Sequence, residues 1–168
     1  MTDSAKTRVS DTGTKNTRPK AENTRRQQRT YAFQVLYALN FVSAESSLAA
    51  TFNRFKESPA QDEETQGSFA WSLVRGVWDN LDELNRIIAS YSRNWKIQRI
   101  ARIELTIMRL AVYEMIYCPD IPLKVAINEA IELAKAFGDD NSRNFVNGIL
   151  DAVAKDVRNG KFGTSKGF

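Results

Sequence analysis

Outside its two ends, nearly the whole chain carries apolar residues at helical spacing. Ala32, Val35, Leu36 and Leu39 recur at i, i+3, i+4 and i+7. This is the stripe of an amphipathic helix packed on a core, and it predicts a first helix over about 24–42. SSLAATFNRF places Leu48, Phe52 and Phe55 on one side of a second, short helix. The polar segment KESPAQDEETQ leads into the acidic start of a third, whose core stripe is Ala70, Leu73, Val74 and Val77, with Trp71 and Trp78 at its edge. After Asp79 the pattern continues through Leu81, Leu84, Ile87 and Ile88 as a fourth helix.

RIARIELTIMRLAVYEMIY is apolar nearly all round, with Ile103, Ile107 and Leu110 on one side and Leu105, Met108, Val112 and Met115 opposite. Such a helix is buried among others, so it belongs at the centre. Glu114 projects into its Ile103 side and needs a partner there. A structural ion pair is the expected answer, with Arg109 a candidate that spacing alone cannot assign. Glu104 lies between the two apolar arcs, within reach of the surface. Pro119 and Pro122 end this helix and begin the next. The sixth carries the stripe Leu123, Ile127, Ala130, Ile131 and Ala134, has Lys135 in its last turn and stops at Gly138. Asn141 or Ser142 is placed to cap a seventh, with core stripe Val146, Ile149, Leu150 and Val153. Phe145 projects off that stripe, and NGKFGTSKGF reads as a loose tail. The expected fold is all-α with about seven helices.

The first helix has more than a core face. Phe33, Tyr37 and Phe41 recur every four residues beside the apolar arc, and Arg26 projects close to them. A basic run at a helix N-terminus is opposed by the macrodipole, so RRQQR points to a counter-charge from outside the chain. The alternative is a helix buried on two sides with arginines in a solvated first turn. Asn128 and Asn147 also stand out, because asparagine costs helix propensity. Each is expected to make a specific hydrogen bond, either between helices or to a ligand.

Charge sharpens this reading. Residues 1–30 hold eight Lys or Arg against three Asp or Glu, while the remaining 138 hold 16 against 17. Basicity is therefore an N-terminal feature, of the kind that meets nucleic acid by neutralising phosphate. Residues 1–23, rich in Thr, Lys, Asn and Ser, read as a disordered basic arm. A domain over 24–158 and a flexible tail over 159–168 complete the expected layout.

Other chemistry is poorly supplied. There is no histidine and one cysteine, Cys118, in a hydrophobic helix where it reads as a packing residue. No GxGxxG, GxxxxGK[ST] or GxSxG is present. Asp139 and Asp140 lack calcium-loop spacing and suit a helix start, and Glu129 with Glu132 reads as a solvated face. No catalytic residue, metal site or cofactor is expected. The N-terminus lacks the apolar region of a signal peptide, and no run approaches the roughly 18 apolar residues of a membrane span. The expectation is a soluble, cytoplasmic, non-enzymatic helical domain with a nucleic-acid face.

The run IPLKVAINEAIELAKAFG, followed by SRNFVNGILD, resembles the C-terminal signature of the NusB transcription antitermination family. RLAVYEM and RTYAFQVLYALNF match that family in order and spacing, and the resemblance runs from about Arg25 to Val157. It implies an all-helical fold of two packed small bundles. It also implies binding to the boxA element of single-stranded ribosomal RNA leader transcripts, as a heterodimer with NusE, a small-subunit ribosomal protein, within an RNA polymerase antitermination complex. By motif, Arg25, Arg26 and Arg29 would fall in the arginine-rich RNA-binding segment. Tyr37 and Glu104 would meet NusE, and Asn141, Arg143 and Phe145 would lie near the RNA path. The chain departs from the family in its longer N-terminal arm, its extra tail, glutamines within RRQQR, and the lack of a proline near IARIE.

Two rivals remain open on the sequence. The same helical domain serves as the RNA-binding arm of ribosomal RNA cytosine methyltransferases, although this chain has neither a Gly-rich cofactor loop nor a second cysteine. A protein-only adaptor would use the aromatic face for a partner helix and the arm for solubility. Oligomeric state is also open, since a face meant for NusE invites a homodimer in its absence.

Overall fold

The computed structural model describes residues 24–42, 48–54 and 67–168. The expected disordered arm, Phe55 of the second helix and the acidic stretch before the third lie outside these residues. Seven α-helices and no strand are present among them: α1 Arg25–Leu39, α2 Leu48–Arg54, α3 Phe69–Asp79, α4 Leu81–Tyr91, α5 Arg102–Tyr117, α6 Leu123–Phe137 and α7 Ser142–Arg158. A 3₁₀ turn, Ile97–Arg99, precedes α5. The all-α fold is as the periodicity predicts, and no described helix is long and apolar enough to cross a membrane.

Local chemistry sets several boundaries. Thr24 and Gln27 form a reciprocal capping box: the Thr24 hydroxyl accepts from the Gln27 N–H, and the Gln27 amide oxygen accepts from the Thr24 N–H at 2.8 Å. Ser68 caps α3 by accepting from Trp71 N–H at 3.1 Å. At the α3–α4 break the Asn80 side chain donates to the Gly76 carbonyl at 2.8 Å, and Asp82 and Glu83 then favour the positive end of α4.

Helix α5 is the hub. It packs against α1, α3, α4, α6 and α7, and Ile107, Met108, Leu110, Val112 and Met115 are all buried. Around it, α1 lies on α3 with α2 beside it, and α6 lies on α7. Gly76 permits the approach of α3 to α5, since a Cβ there would meet the Tyr113 ring at about 2.0 Å. Across the far side, the Tyr91 hydroxyl donates to Asp156 at 2.6 Å and ties α4 to α7.

The tail is not loose. Lys166 is buried, and its ammonium donates to the carbonyls of Glu114 at 2.7 Å, Ile121 at 2.9 Å and Cys118. Leu123 N–H reaches the Gly167 carbonyl. The physical reason is at the end of α5 and the turn after it, where main-chain carbonyls converge; those of Glu114 and Cys118 take one backbone N–H each, from Cys118 and Ile121, and keep a second lone pair for Lys166. A lysine supplies three donors there and complements the negative end of the helix dipole.

Candidate nucleic-acid interface

The first turns of α1 put three arginines on three different acids. Arg25 Nη1 lies 3.2 Å from Asp120 in the α5–α6 turn, with its guanidinium 4.9 Å above the Phe69 ring. Arg26 meets Glu129 of α6, with Nη2 2.8 Å from Oε1 and Nε 3.2 Å from both oxygens. Arg29 Nε donates to Glu114 Oε1 at 2.7 Å, where both residues are buried. Each of the three therefore has a counter-charge within the chain, so the basic helix start does not by itself require one from outside.

This corrects the expectation for Arg29, which is a buried structural partner and is not presented to a phosphate. Glu114 is ion-paired as expected, but by Arg29 of α1 and not by Arg109, whose Nε donates instead to Asn85 at 2.8 Å. Burial pushes the Glu114 carboxyl above its ordinary pKa, while the Arg29 guanidinium opposes that shift.

The aromatic series divides along α1. Phe33 is buried and packs on Phe137 of α6, with ring centroids 4.7 Å apart, so it belongs to the core. Tyr37 is half-buried, and Phe41 is 60% exposed with the Arg102 guanidinium 4.8 Å above its ring. The two rings meet edge-on at 5.2 Å. Phe41 thereby links Tyr37 to the first turn of α5, where Glu104 sits.

Next to that turn is a groove of about 330 Å³ lined by Trp95, Arg99, Ile100, Glu104, Asp139, Asn141 and Phe145. Trp95 is 54% exposed and meets Phe145 edge-on, with centroids 6.5 Å apart. The buried Ser142 hydroxyl donates to Glu104 at 2.7 Å and fixes that wall. Asp139 Oδ1 accepts from the N–H groups of Asn141 and Ser142, both at 2.9 Å. Those bonds, the Asn141 N–H first, hold the Asp139 carboxyl below its ordinary pKa. Asn141 is the N-cap residue of α7, as expected, but its side chain makes no capping bond, and the acceptor at this helix start is the Asp139 carboxylate. Gly138 is required beside it, because a Cβ there would come within about 2.7 Å of the Ser142 hydroxyl.

The structure brings Glu104, Asn141 and Phe145 to one groove, with Arg143 exposed in the same first turn of α7. It does not bring Arg25 and Arg26 there. Arg26 and Tyr37 are separated along α1 by about 16 Å at 1.5 Å per residue. Trp95 and Arg99 are groove residues that periodicity missed. Their only signal is an exposed aromatic between basic residues in SRNWKIQR. Asn147 donates to Asp151 within α7 at 3.0 Å, so it ties no helices together. The Cys118 thiol is pushed up to about 11 by burial, consistent with a packing residue.

The model of the NusB family matches residues 26–155. The chain is 46% identical over 157 residues to the transcription antitermination protein NusB of Nitratidesulfovibrio vulgaris, covering 86% of this chain and 94% of that one. With the protein of the same name from Oleidesulfovibrio alaskensis it is 52% identical over 144 residues, covering 82% and 92%. Among solved structures, T. maritima NusB superposes with a TM-score of 0.70 at 33% identity, over 79% of this chain and 92% of that one. A structure of the antitermination factors NusB and NusE in complex with double-stranded RNA gives 0.65 at 25% identity, over 78% and 96%. With the helical order, the capped start of α7 and the family match over most of its length, this chain belongs to the NusB family.

Proposed function

We propose that this protein is a cytoplasmic, non-enzymatic transcription antitermination factor. In this reading it binds boxA-like single-stranded RNA of ribosomal RNA leader transcripts as a heterodimer with NusE, within an RNA polymerase antitermination complex. The observation that carries the reading is the groove between Trp95 and Phe145. Its lining brings Trp95 and Phe145 together with Asn141 and Arg99 in one concavity, with Glu104 and Asp139 on the same wall. Single-stranded RNA is recognised by bases splayed onto aromatic side chains, with cations on the backbone. Phe145 and Trp95 take bases, Asn141 contacts a base edge, and Arg99 and Arg143 contact phosphate. Arg25 and Arg26 extend the phosphate track from the other end of α1. Tyr37 and Glu104, joined through Phe41 and the first turn of α5, form the NusE contact. The relatives, matched over nearly their whole length, are antitermination proteins, which favours this reading over an arm of a methyltransferase.

The test is a titration of fluorescent boxA-like RNA and a scrambled control with the protein alone and with NusE. Sequence-dependent binding strengthened by NusE is the expected result. Equal binding to both RNAs, unchanged by NusE, would leave a basic arm on a protein-only adaptor.

A further inference from the structure

We propose that Glu129 is a positioning residue that presents Arg26 to a phosphate, an inference that rests on the RNA-binding reading above. A guanidinium has five N–H donors in a fixed fork. Glu129 takes the side-on pair, Nε–H and one Nη2–H, at 3.2 and 2.8 Å. This leaves both Nη1–H groups and the second Nη2–H, of which the Nη2–H and one Nη1–H form the end-on edge that matches two phosphate oxygens.

Exposure divides the pair in the same sense. The Arg26 side chain is 63% exposed and that of Glu129 only 15%. Glu129 stands in the middle of α6, beside the small cavity that it lines with Arg29, Glu114 and Ala130. Its carboxylate is held by packing, unlike one end of a mobile surface pair. It therefore orients the guanidinium before RNA arrives and removes part of the rotamer entropy that binding would otherwise cost. Arg25 lacks this support: besides the Phe69 ring below it, its one hydrogen bond runs from Nη1 to an Asp120 whose side chain is itself 63% exposed. Of the two arginines, Arg26 is the fixed one.

The experiment is a double-mutant cycle read by titration of fluorescent boxA-like single-stranded RNA, with the thermal midpoint of each variant measured in parallel. Glu129→Ala is expected to weaken binding about fivefold when Arg26 is present, the cost of leaving one long side chain unoriented, and to have no further effect in Arg26→Ala. Glu129→Gln keeps an acceptor oxygen at the same reach and is expected to restore most of the affinity. Glu129→Leu fills the same space without an acceptor and should behave like Ala, which separates orientation from packing. The proposal is overturned if Glu129→Ala tightens binding, since the carboxylate would then compete with phosphate. An equal loss in both backgrounds, or no loss where Arg26→Ala alone weakens binding, overturns it too. If Arg26→Ala itself leaves binding unchanged, the failure lies one step earlier, in the assignment of Arg26 to phosphate.

Discussion

Arg29 and Glu114 are opposite charges taken out of water together, and such a pair is sensitive to the loss of either partner. Arg29→Ala leaves a buried carboxylate without its cation, a change that costs about 3–5 kcal/mol. The urea midpoint should fall accordingly. Because apolar replacement of both partners of a buried pair is often nearly neutral, Arg29→Met combined with Glu114→Leu should recover most of that loss. An exposed, weakly coupled pair would instead show a small effect for each change and simple additivity. The need for this pair was legible, since Glu114 falls on an apolar side of α5. Its partner was not, because wheel positions within one helix do not say which residue of a second helix crosses above them. The same limit explains Phe33. It lies off the first apolar arc of α1, yet it is core because α6 covers that flank with Phe137.

At the scale of elements, the connections carry information that periodicity lacks. Asp139 accepts from two N–H groups at the start of α7, and its pKa is held low in the folded state. A carboxyl depressed in this way contributes stability that is present above its unfolded value and is lost as pH falls through the folded one. Asp139→Ala should therefore be less stable than the parent near neutrality, with the difference closing as the solution is acidified. A difference independent of pH would show that the charge has no part in the cap. The tail is a second connection that adds to the fold, through Lys166. Lys166→Met removes donors from the Glu114, Cys118 and Ile121 carbonyls and should lower stability by about 1–3 kcal/mol. Removal of residues 164–168 should have the same effect, whereas an unchanged thermal midpoint would mean that the strap adds nothing in solution. The tail was illegible in sequence because one lysine among Gly, Ser and Thr has no period, and its partners are main-chain carbonyls of α5 and of the turn after it. The helices themselves were legible because each carries a core stripe, and the all-round stripe of α5 placed it at the centre.

At the scale of the whole molecule, the charge split and the aromatic groove divide the proposed RNA surface into two parts. The ionic part lies at the start of α1 on Arg25 and Arg26, and the stacking part lies on Trp95 and Phe145, in a groove that neither arginine lines. The sequence indicated both parts, the first by composition and the second by an aromatic off the core stripe of α7. It did not show that Trp95 and Arg99, from the turn before α5, complete the groove. The two parts should differ in their response to salt. Phosphate contacts release counterions and steepen the dependence of log Kd on log salt concentration, whereas stacking does not. The most direct test is therefore the boxA-like RNA affinity of the parent, Phe145→Ala and Arg26→Ala across a salt series. Phe145→Ala should bind about tenfold more weakly at every salt concentration with the slope unchanged, the loss of about one stacked base. Arg26→Ala should flatten the slope by about one. If Phe145→Ala binds as tightly as the parent across the series, the groove does not hold RNA and Phe145 is only the edge of the core.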